Sequence, residues 1–287
     1  MKVLILGASG SIGSVLFNKL SNLYDVYGTY NRNNPDVINY VNLRKYNIAD
    51  YEVLDAMLDN IKPNLIISSL TGDFEQQLNA HKRINRFLYE TSGRCIFISS
   101  ANVFDGSPNG SKTEADTPYP ISAYGKFKVS CERIIQNNLG NQCLIIRLPR
   151  TLSLKDIDSE IVQVEQNKSL FSNLYMSYNS ADNVTEAIVY CIEKNKSGIL
   201  HLTSDDYMLE SDFMKTLLSF HRKNLSYTYE SLTKITYCSL LGCDNPALLK
   251  YNNDGYFNLS LKSTDVDVST RFGISCKKVI SSLCTSA

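Results

Sequence analysis

The sequence predicts an α/β fold: a doubly wound parallel sheet with a smaller C-terminal lobe. Short apolar runs alternate with longer amphipathic segments through the first half of the chain, which is typical of βαβ units. The runs at residues 65–67 and 143–146 are continuously apolar, as expected of parallel strands buried on both faces. With 287 residues, 43% of them hydrophobic and 20% charged, the chain can bury a sizeable core without a metal or disulfides.

Each element follows from this alternation. We expect seven strands, at residues 2–6, 25–29, 38–42, 65–70, 94–99, 143–148 and 199–203. The intervening patterns predict helices at residues 11–20, 51–60, 75–91, 124–138 and 183–194. After residue 148 the alternation falters, so we expect a first domain at residues 1–150, rejoined by residues 183–204, and a smaller substrate-binding lobe at residues 151–287.

Charge and cysteine patterns exclude several classes of function. The 29 basic and 29 acidic residues form no run of one sign, so there is no electrostatic footprint for nucleic acid or an anionic membrane. The eight cysteines lack a CxxC pair or a Cys/His grouping, so we expect reduced thiols and no metal site. The N-terminal apolar run is too short for a signal peptide, and no segment approaches the roughly 20 apolar residues of a membrane span. We therefore expect a cytoplasmic protein.

A glycine-rich segment, GASGSIG, lies directly between the first predicted strand and the first predicted helix. Small residues there let the backbone approach a pyrophosphate, while the helix N-terminus offers free N–H groups and a partial positive charge. This context predicts a dinucleotide site in a Rossmann-type domain rather than a purely structural turn. The expected cofactor contacts come from Gly7, Ser9, Gly10, Ser11, Ile12 and Gly13.

The end of the second predicted strand indicates which dinucleotide binds. NAD-binding proteins place an acidic residue there for the ribose 2′-OH, whereas a nearby arginine accommodates the 2′-phosphate of NADP. No acidic residue lies between Val26 and Pro35, and Asn31 and Arg32 follow the strand. We therefore expect NADP(H) to be favoured over NAD(H). The alternative is an exposed loop arginine without a role.

A tyrosine and a lysine at YxxxK spacing, Tyr124 and Lys128, begin a predicted helix. Residues four apart share one helix face, and a nearby ammonium would bring the phenol's pKa of about 10 toward the range useful for acid/base catalysis. Taken alone, the motif often occurs by chance, and a solvated helix face would be the better interpretation. Ser100 favours the catalytic interpretation, because it follows the fifth predicted strand at the sheet edge where ligands of open α/β folds bind.

Together these motifs resemble an extended short-chain dehydrogenase/reductase, nearest to the dTDP-4-dehydrorhamnose reductase-like (RmlD-like) sugar-nucleotide group. Besides the GxxGxxG and YxxxK motifs, ISSANVFDG is similar to the family's ISTDYVFDG. NIADYEVLDAMLDNIKPNLII is similar to its DITD…PDxVI block. The segments KTEADTPYPISAYGKFKVSCE and LIIRLPRTLS also follow the family pattern.

The resemblance implies a catalytic triad of Ser100, Tyr124 and Lys128, in which Tyr124 donates a proton while NADP(H) delivers hydride to a ketone. It also implies a nucleotide-linked 4-keto-sugar as substrate, within sugar-nucleotide and polysaccharide biosynthesis. Two alternatives stay open. One is an epimerase or dehydratase on the same triad, and the other is a non-catalytic nucleotide-binding subunit that regulates a partner.

Two stretches depart from the family pattern for the cofactor. Asn47 stands where an aspartate normally holds the adenine, so this contact would rest on Asn47 and the backbone of Ile48. Ser69 and Leu70 stand in the place of an Asn-Ala-Ala stretch. We keep all four residues as expected cofactor contacts, together with Tyr124 and Lys128 of the triad.

The expected substrate contacts are Ser100, Asn102, Arg147 and Arg150. Ala101 and Asn102 replace an aspartate and a tyrosine that rhamnose-pathway reductases present to their sugar, so strict dTDP-rhamnose chemistry is not implied. Arg147 and Arg150 leave the sixth predicted strand and could contact a diphosphate or sugar, with an ion pair inside the lobe as the alternative. A homodimer is among the assemblies that the sequence allows.

Overall fold

The computed structural model of the protein describes residues 1–31, 42–166, 169–222, 225–243, 245–250 and 255–285. The strands in this part of the chain are β1 (Lys2–Leu6), β2 (Asp25–Tyr30), β3 (Leu43–Lys45), β4 (Leu65–Ser68), β5 (Arg94–Ser100), β6 (Cys143–Leu148), β7 (Arg150–Leu152), β8 (Leu170–Phe171), β9 (Leu174–Met176), β10 (Tyr178–Ser180), β11 (Gly198–His201), β12 (Met208–Leu209), β13 (Tyr229–Glu230) and β14 (Phe257–Asn258). The helices are α1 (Ser11–Leu20), α2 (Tyr51–Ile61), α3 (Phe74–Thr91), α4 (Ala123–Leu139), α5 (Leu154–Glu165), α6 (Ala181–Glu193), α7 (Glu210–His221), α8 (Lys234–Leu240), α9 (Val266–Phe272) and α10 (Cys276–Thr285).

Seven of these strands form one parallel sheet in the order β11-β6-β5-β4-β1-β2-β3. In the middle of the sheet, Val3 lies opposite Val26 on one side and Leu65 on the other. The four side chains from Val3 to Leu6 are each 0% exposed, so both faces of β1 are covered. The predicted α/β class with a doubly wound parallel sheet is confirmed.

The described third strand of the sheet begins at Leu43. Of the predicted strand at residues 38–42, residues 38–41 lie outside the described part of the chain, and Asn42 belongs to a turn. The strand that pairs with β2 is Leu43–Lys45, with Leu43 opposite Gly28. A Cβ added at Gly28 would lie 2.8 Å from the Leu43 side chain, so the missing side chain leaves room for this leucine.

Helices α2 and α3 begin at capping aspartates. Asp50 accepts a hydrogen bond of 3.1 Å from the Val53 N–H, and Asp73 accepts one of 2.9 Å from Gln76. Their apolar faces and that of α4 bury one face of the sheet. The packed residues are Leu54, Leu58, Ile84, Leu88 and Ile135 from the helices and Leu4, Ile66, Phe97 and Ile145 from the strands.

The chain divides into two compact units. The first unit comprises Met1–Ser99, Phe127–Ile146 and Thr185–Leu200, and the second comprises Ser100–Lys126, Arg147–Val184 and His201–Ala287. The domain boundary at residue 150 stays a prediction.

The second unit is built from short strands and helices. Strand β10 pairs with β7, strands β12, β9 and β14 form a three-stranded sheet, and β13 pairs with β8. Its largest apolar cluster joins α5, α7 and α10, where the stacked rings of Tyr178 and Phe213 lie 3.5 Å apart between centroids. A second cluster surrounds the buried side chains of Tyr237 and Phe257. Among the described residues, no helix combines the length and hydropathy needed to cross a membrane.

Candidate functional site

The first unit contains a cleft of about 660 Å³ at the carboxyl ends of β1, β2 and β4. The glycine-rich turn after β1 forms its floor, and segments after β2, β3 and β4 form its walls. The lining residues are Gly7, Ser9, Gly10, Thr29, Tyr30, Asn31, Tyr46, Asn47, Ile48, Ser69, Leu70, Thr71, Gly72, Asp73 and Gln76. This edge of an open parallel sheet is where nucleotides bind.

Two of the three motif glycines are required by the packing of the turn. Gly7 has a φ of +87°, and a Cβ there would lie 2.7 Å from the carbonyl oxygen of Ser69. A Cβ at Gly13 would lie 2.1 Å from the carbonyl oxygen of Gly7. Neither position accepts a side chain without a shift of the backbone.

Gly10 is different. Its φ of −76° and ψ of 169° suit any residue, and a Cβ there would meet no atom closer than 3.4 Å. The fold itself therefore does not require a glycine at this position. A ligand approaching the backbone of the turn would require one, because a side chain at Gly10 would take up part of that approach.

Gly10 also caps helix α1, and no side-chain hydrogen bond is made by this cap. An uncapped helix N-terminus favours an anion through its N–H groups and its partial positive charge. Gly7, Ser9 and Gly10 line the cleft, whereas Ser11, Ile12 and Gly13 form the first turn of the helix and are not among its lining residues. The turn and helix end thus fit a dinucleotide pyrophosphate.

The other predicted cofactor residues of this region also line the cleft: Asn31, Asn47, Ile48, Ser69 and Leu70. The Asn47 Oδ1 accepts a hydrogen bond of 3.2 Å from the Ala49 N–H, which orients the amide. Arg32, on which the expected preference for NADP(H) depends, lies outside the described residues.

Sequence analysis missed several residues of this cleft. Thr29 accepts a hydrogen bond of 3.0 Å from the Gly7 N–H through its hydroxyl, and so ties the glycine-rich turn to β2. Thr29 is the penultimate residue of β2, the strand next to β1, and this position could have identified it from the sequence. Tyr30, Tyr46, Asp73 and Gln76 line the walls without belonging to any motif.

In the second unit, Ser100 is hydrogen-bonded to Tyr124 through their hydroxyl groups. Ser100 ends β5, and its hydroxyl accepts a hydrogen bond of 3.2 Å from the Asn102 N–H and donates one of 3.0 Å to the Asn102 Oδ1. Burial raises the pKa of Tyr124, and the bond to Ser100 lowers it only in part. The expected lowering of the Tyr124 pKa is therefore not found, because burial of the phenol outweighs the stabilising contacts.

Asp105 fixes the start of α4, the helix that carries Tyr124. The fully buried Asp105 carboxylate accepts hydrogen bonds from the Ile121 N–H at 2.7 Å and from the Ser122 hydroxyl. Ser122 in turn accepts a hydrogen bond of 2.8 Å from the Gly125 N–H. A Cβ at Gly125 would lie 2.3 Å from the carbonyl oxygen of Asn102, so only glycine lets the helix approach so closely. The sequence analysis assigned no role to Asp105, Ser122 or Gly125, although the VFDG and SAYG segments contain them.

Lys128, one turn after Tyr124 on α4, is 6% exposed and belongs to the first unit. Its ammonium donates a hydrogen bond of 2.9 Å to the carbonyl oxygen of Ile98 and lies 4.8 Å from the centre of the Phe97 ring. Burial lowers the pKa of Lys128 to about 8, against the opposing influence of Cys131 and Glu132. A lysine with this pKa is still largely protonated at neutral pH.

The predicted substrate arginines are both engaged within the second unit. Arg150 pairs with Glu160 at 2.7 Å and with Glu210 at 3.2 Å. Burial lowers the pKa of Arg150, but the two carboxylates outweigh it and raise the pKa overall. The guanidinium of Arg147, in a residue that is 2% exposed, lies 5.1 Å from the centre of the Phe104 ring. The ion pair that the sequence left as the alternative is thus present at Arg150, and substrate contact by either arginine stays a prediction.

No group of three or more His, Cys, Asp or Glu side chains within the described ranges could hold a metal ion.

Comparison with known proteins places this geometry in a family. Residues 1–227 match the family model described as the RmlD substrate binding domain. Methionine adenosyltransferase 2 subunit beta of Mus musculus is 28% identical over 188 residues, covering 60% of this chain and 54% of that protein. The chain therefore spans about half the length of this relative. The probable low-salt glycan biosynthesis reductase Agl14 of Haloferax volcanii is 25% identical over 236 residues, covering 74% and 78% of the two chains.

Solved structures show the same fold. A hypothetical dTDP-4-dehydrorhamnose reductase from Sulfolobus tokodaii has a TM-score of 0.72 at 22% identity, with 94% of each chain covered. The dTDP-4-dehydrorhamnose reductase of Bacillus anthracis, solved in complex with NADP, has a TM-score of 0.73 at 16% identity and covers 100% of this chain and 99% of its own. The chain belongs to the RmlD substrate binding domain family, an extended short-chain dehydrogenase/reductase family.

Proposed function

We propose that the protein reduces the ketone of a nucleotide-linked 4-keto-sugar, with NADP(H) as cofactor, in sugar-nucleotide and polysaccharide biosynthesis. The observation that carries this proposal is the hydrogen bond between the hydroxyls of Ser100, at the end of β5, and Tyr124, on the helix that also carries Lys128 one turn later. A proton donor, a second hydroxyl for the carbonyl oxygen and a buried cation are the groups that carbonyl reduction needs from a protein.

In the proposed reaction, NADP(H) supplies hydride to the carbonyl carbon when it is bound. Tyr124 donates its phenolic proton to the carbonyl oxygen, so that the ketone becomes an alcohol and the tyrosine a phenolate until a solvent proton replaces the one lost. The Ser100 hydroxyl holds the carbonyl oxygen and stabilises charge that develops there. The Lys128 ammonium would stabilise the phenolate of Tyr124, one turn earlier on α4, and would contact the ribose of a bound cofactor.

The cleft of the first unit is the proposed cofactor site, with the pyrophosphate at the turn that contains Gly10. Asn47 and the backbone of Ile48 would contact the adenine, and Asn31 and Arg32 would contact the ribose 2′-phosphate. Titration of the protein with NADPH and NADH measures this preference. We expect tighter binding of NADPH, and equal or tighter binding of NADH would contradict it.

A nucleotide-linked substrate is proposed because the predicted substrate-binding lobe at residues 151–287 would be larger than a small free ketone requires. Binding of the nucleotide diphosphate far from the carbonyl supplies energy that positions the sugar for hydride transfer. Asn102, Arg147 and Arg150 are the proposed contacts to this part of the substrate. We further propose a cytoplasmic location and a homodimer, which cell fractionation and light scattering would test.

An assay of NADPH oxidation with dTDP-, UDP- and GDP-linked 4-keto-sugars, run beside free keto-sugars, tests the proposed activity. We expect turnover with at least one nucleotide-linked substrate and much slower turnover with the free sugars. Conversion of a nucleotide sugar to an isomer without net NADPH oxidation would instead identify an epimerase. Absence of turnover with every nucleotide-linked substrate would overturn the proposal.

The second candidate is a non-catalytic nucleotide-binding subunit that regulates a partner. It is favoured by the similarity over 188 residues to methionine adenosyltransferase 2 subunit beta, and by the departures at Ser69 and Ala101. The retained Ser100, Tyr124 and Lys128 favour the enzyme. Purification of the tagged protein from its own cells separates the two, because a regulatory subunit would bring a stoichiometric partner and show no turnover.

A further inference from the structure

Strand β5 holds α4 at two places, through consecutive residues. The carbonyl oxygen of Ile98 accepts the hydrogen bond of 2.9 Å from the Lys128 ammonium. The hydroxyl of Ser99, the next residue, donates a hydrogen bond to the Glu132 carboxylate. Lys128 and Glu132 are four residues apart on α4 and therefore share one face of the helix, which is the face against β5.

Both charged residues are buried. Lys128 is 6% exposed and Glu132 is 4% exposed, although each would be strongly hydrated in the unfolded chain. A buried charge is stable only where opposite charge or hydrogen bonds replace the lost water. A buried carboxylate one turn from a buried ammonium, tied down by its own hydrogen bond, satisfies this condition for both groups.

We propose that Glu132 is a positioning residue for Lys128: its carboxylate, anchored by Ser99, keeps the buried ammonium charged and in place. The inference rests on the proposed function only in that Lys128 acts in the reaction. It adds a fourth residue to the expected triad, one that touches neither substrate nor cofactor and acts through the lysine.

The other titratable groups around Lys128 do not supply this charge. Among the described residues, these are His81 from α3, Cys131 from α4, and Tyr124 one turn earlier on α4, whose pKa is raised by burial so that the phenol is neutral at physiological pH. Burial lowers the pKa of His81 to about 4, so the imidazole is neutral at physiological pH. Burial raises the pKa of Cys131 to about 12, so the thiol is also neutral. Glu132 is therefore the acidic group that remains to oppose the effect of burial on Lys128.

Glu132→Gln is the informative variant, because the amide keeps the size of the side chain and an oxygen that can accept from Ser99 while it removes the charge. We would follow the 13Cε resonances of lysine against pH and assign Lys128 by the signal lost in Lys128→Met. The wild-type resonance should titrate near pH 8. In Glu132→Gln its midpoint should fall by about 1 pH unit or more, because the ammonium loses its opposite charge. An unchanged midpoint would overturn the proposal.

Ser99→Ala is the matched control. It removes the hydroxyl that anchors Glu132 but keeps the carboxylate on α4, so the Lys128 midpoint should fall by clearly less than in Glu132→Gln. A fall as large as that in Glu132→Gln would show that local packing rather than charge sets the midpoint, and would also overturn the proposal.

Glu132→Gln leaves an unpaired buried cation and can fail to fold for that reason. The double variant Glu132→Gln/Lys128→Met then tests the proposal, because removal of the unpaired buried ammonium should restore folding. Failure of the double variant to fold, when Lys128→Met alone folds, would contradict the proposal. None of these measurements uses substrate or cofactor. A protein without turnover would therefore overturn the proposed function and leave this test intact.

Discussion

The hydroxyl of Ser100, at the end of β5, is hydrogen-bonded to the hydroxyl of Tyr124 in the first turn of α4. The two residues are brought together by the buried carboxylate of Asp105, which holds the residues just before the helix. Gly125 then lets the helix approach the turn after β5 closely. The reactive tyrosine of the proposed mechanism is thus positioned by Asp105 and Gly125, neither of which takes part in the proposed reaction.

Replacing Ser100 with alanine should lower the rate of reduction without unfolding the protein. The variant loses a donor for the carbonyl oxygen, and loss of one such donor costs about 10²-fold or more in kcat. It also loses the hydrogen bond that partly offsets the raised pKa of Tyr124. Steady-state kinetics with NADPH, alongside a thermal unfolding curve, measures both effects. Wild-type kcat in Ser100→Ala would exclude the residue from the reaction.

Lys128 should impose an alkaline limit on activity. Because burial lowers its pKa to about 8, the ammonium loses its proton as the pH rises through 8, and kcat/KM should fall there. Lys128→Met should lack this limb, and both its rate and its affinity for NADPH should be reduced at pH 7. Lys126→Met, on the exposed side of the same helix, is the control and should keep the wild-type profile. A profile that stays flat through pH 8 in the wild type would refute the assignment.

Gly10→Ala and Gly13→Ala should separate cofactor binding from stability. At Gly10 a Cβ has space in the folded chain, so the free energy of unfolding should change by no more than about 0.5 kcal/mol. The affinity for NADPH should fall about tenfold or more, the equivalent of one hydrogen bond to a charged group. At Gly13 a Cβ would lie 2.1 Å from the Gly7 carbonyl oxygen, so the protein should lose about 1–3 kcal/mol of stability. Urea unfolding and calorimetric titration check the pair; undiminished NADPH affinity in Gly10→Ala would contradict the assignment of the cleft.

Arg150→Met should destabilise the second unit. The substitution leaves the carboxylates of Glu160 and Glu210 without their shared cation, and Glu210 is only 1% exposed. Breaking a buried ion pair by removal of one partner costs about 3 kcal/mol or more. Unfolding in urea measures the loss. A variant that unfolds like the wild type but binds nucleotide sugar poorly would instead favour the substrate contact.

The parts of this architecture that repeat a simple pattern were predictable. Buried parallel strands such as β4 and β6 are recognisable in the sequence as apolar runs. Helix α1, Ser11–Leu20, was predictable from the glycine-rich segment at its start. The second unit was not predictable in detail, because β8, β12, β13 and β14 have only two residues each. Such strands form through pairing with distant segments rather than through local preference.

The candidate site likewise has residues that the sequence predicts and residues that it does not. Tyr124, Lys128 and the glycines belong to the YxxxK and GxxGxxG motifs, and the spacing of these motifs indicates the function of their residues. Asp105 could not be assigned from sequence, because its role depends on residues 121 and 122, which only the folded chain brings against it. The state of Arg150 likewise depended on carboxylates at positions 160 and 210.

The most direct test of the account is single-turnover reduction with NADPH that carries deuterium at its transferable C4 position. With the best 4-keto-sugar nucleotide, the wild type should form one NADP⁺ for each product molecule and place one deuterium on the former carbonyl carbon. Tyr124→Phe should bind NADPH normally but transfer deuterium more slowly by about 10²–10⁴-fold. Transfer at the full rate in Tyr124→Phe, or no deuterium in any product of the wild type, would contradict the claim that this protein is a reductase acting through Tyr124.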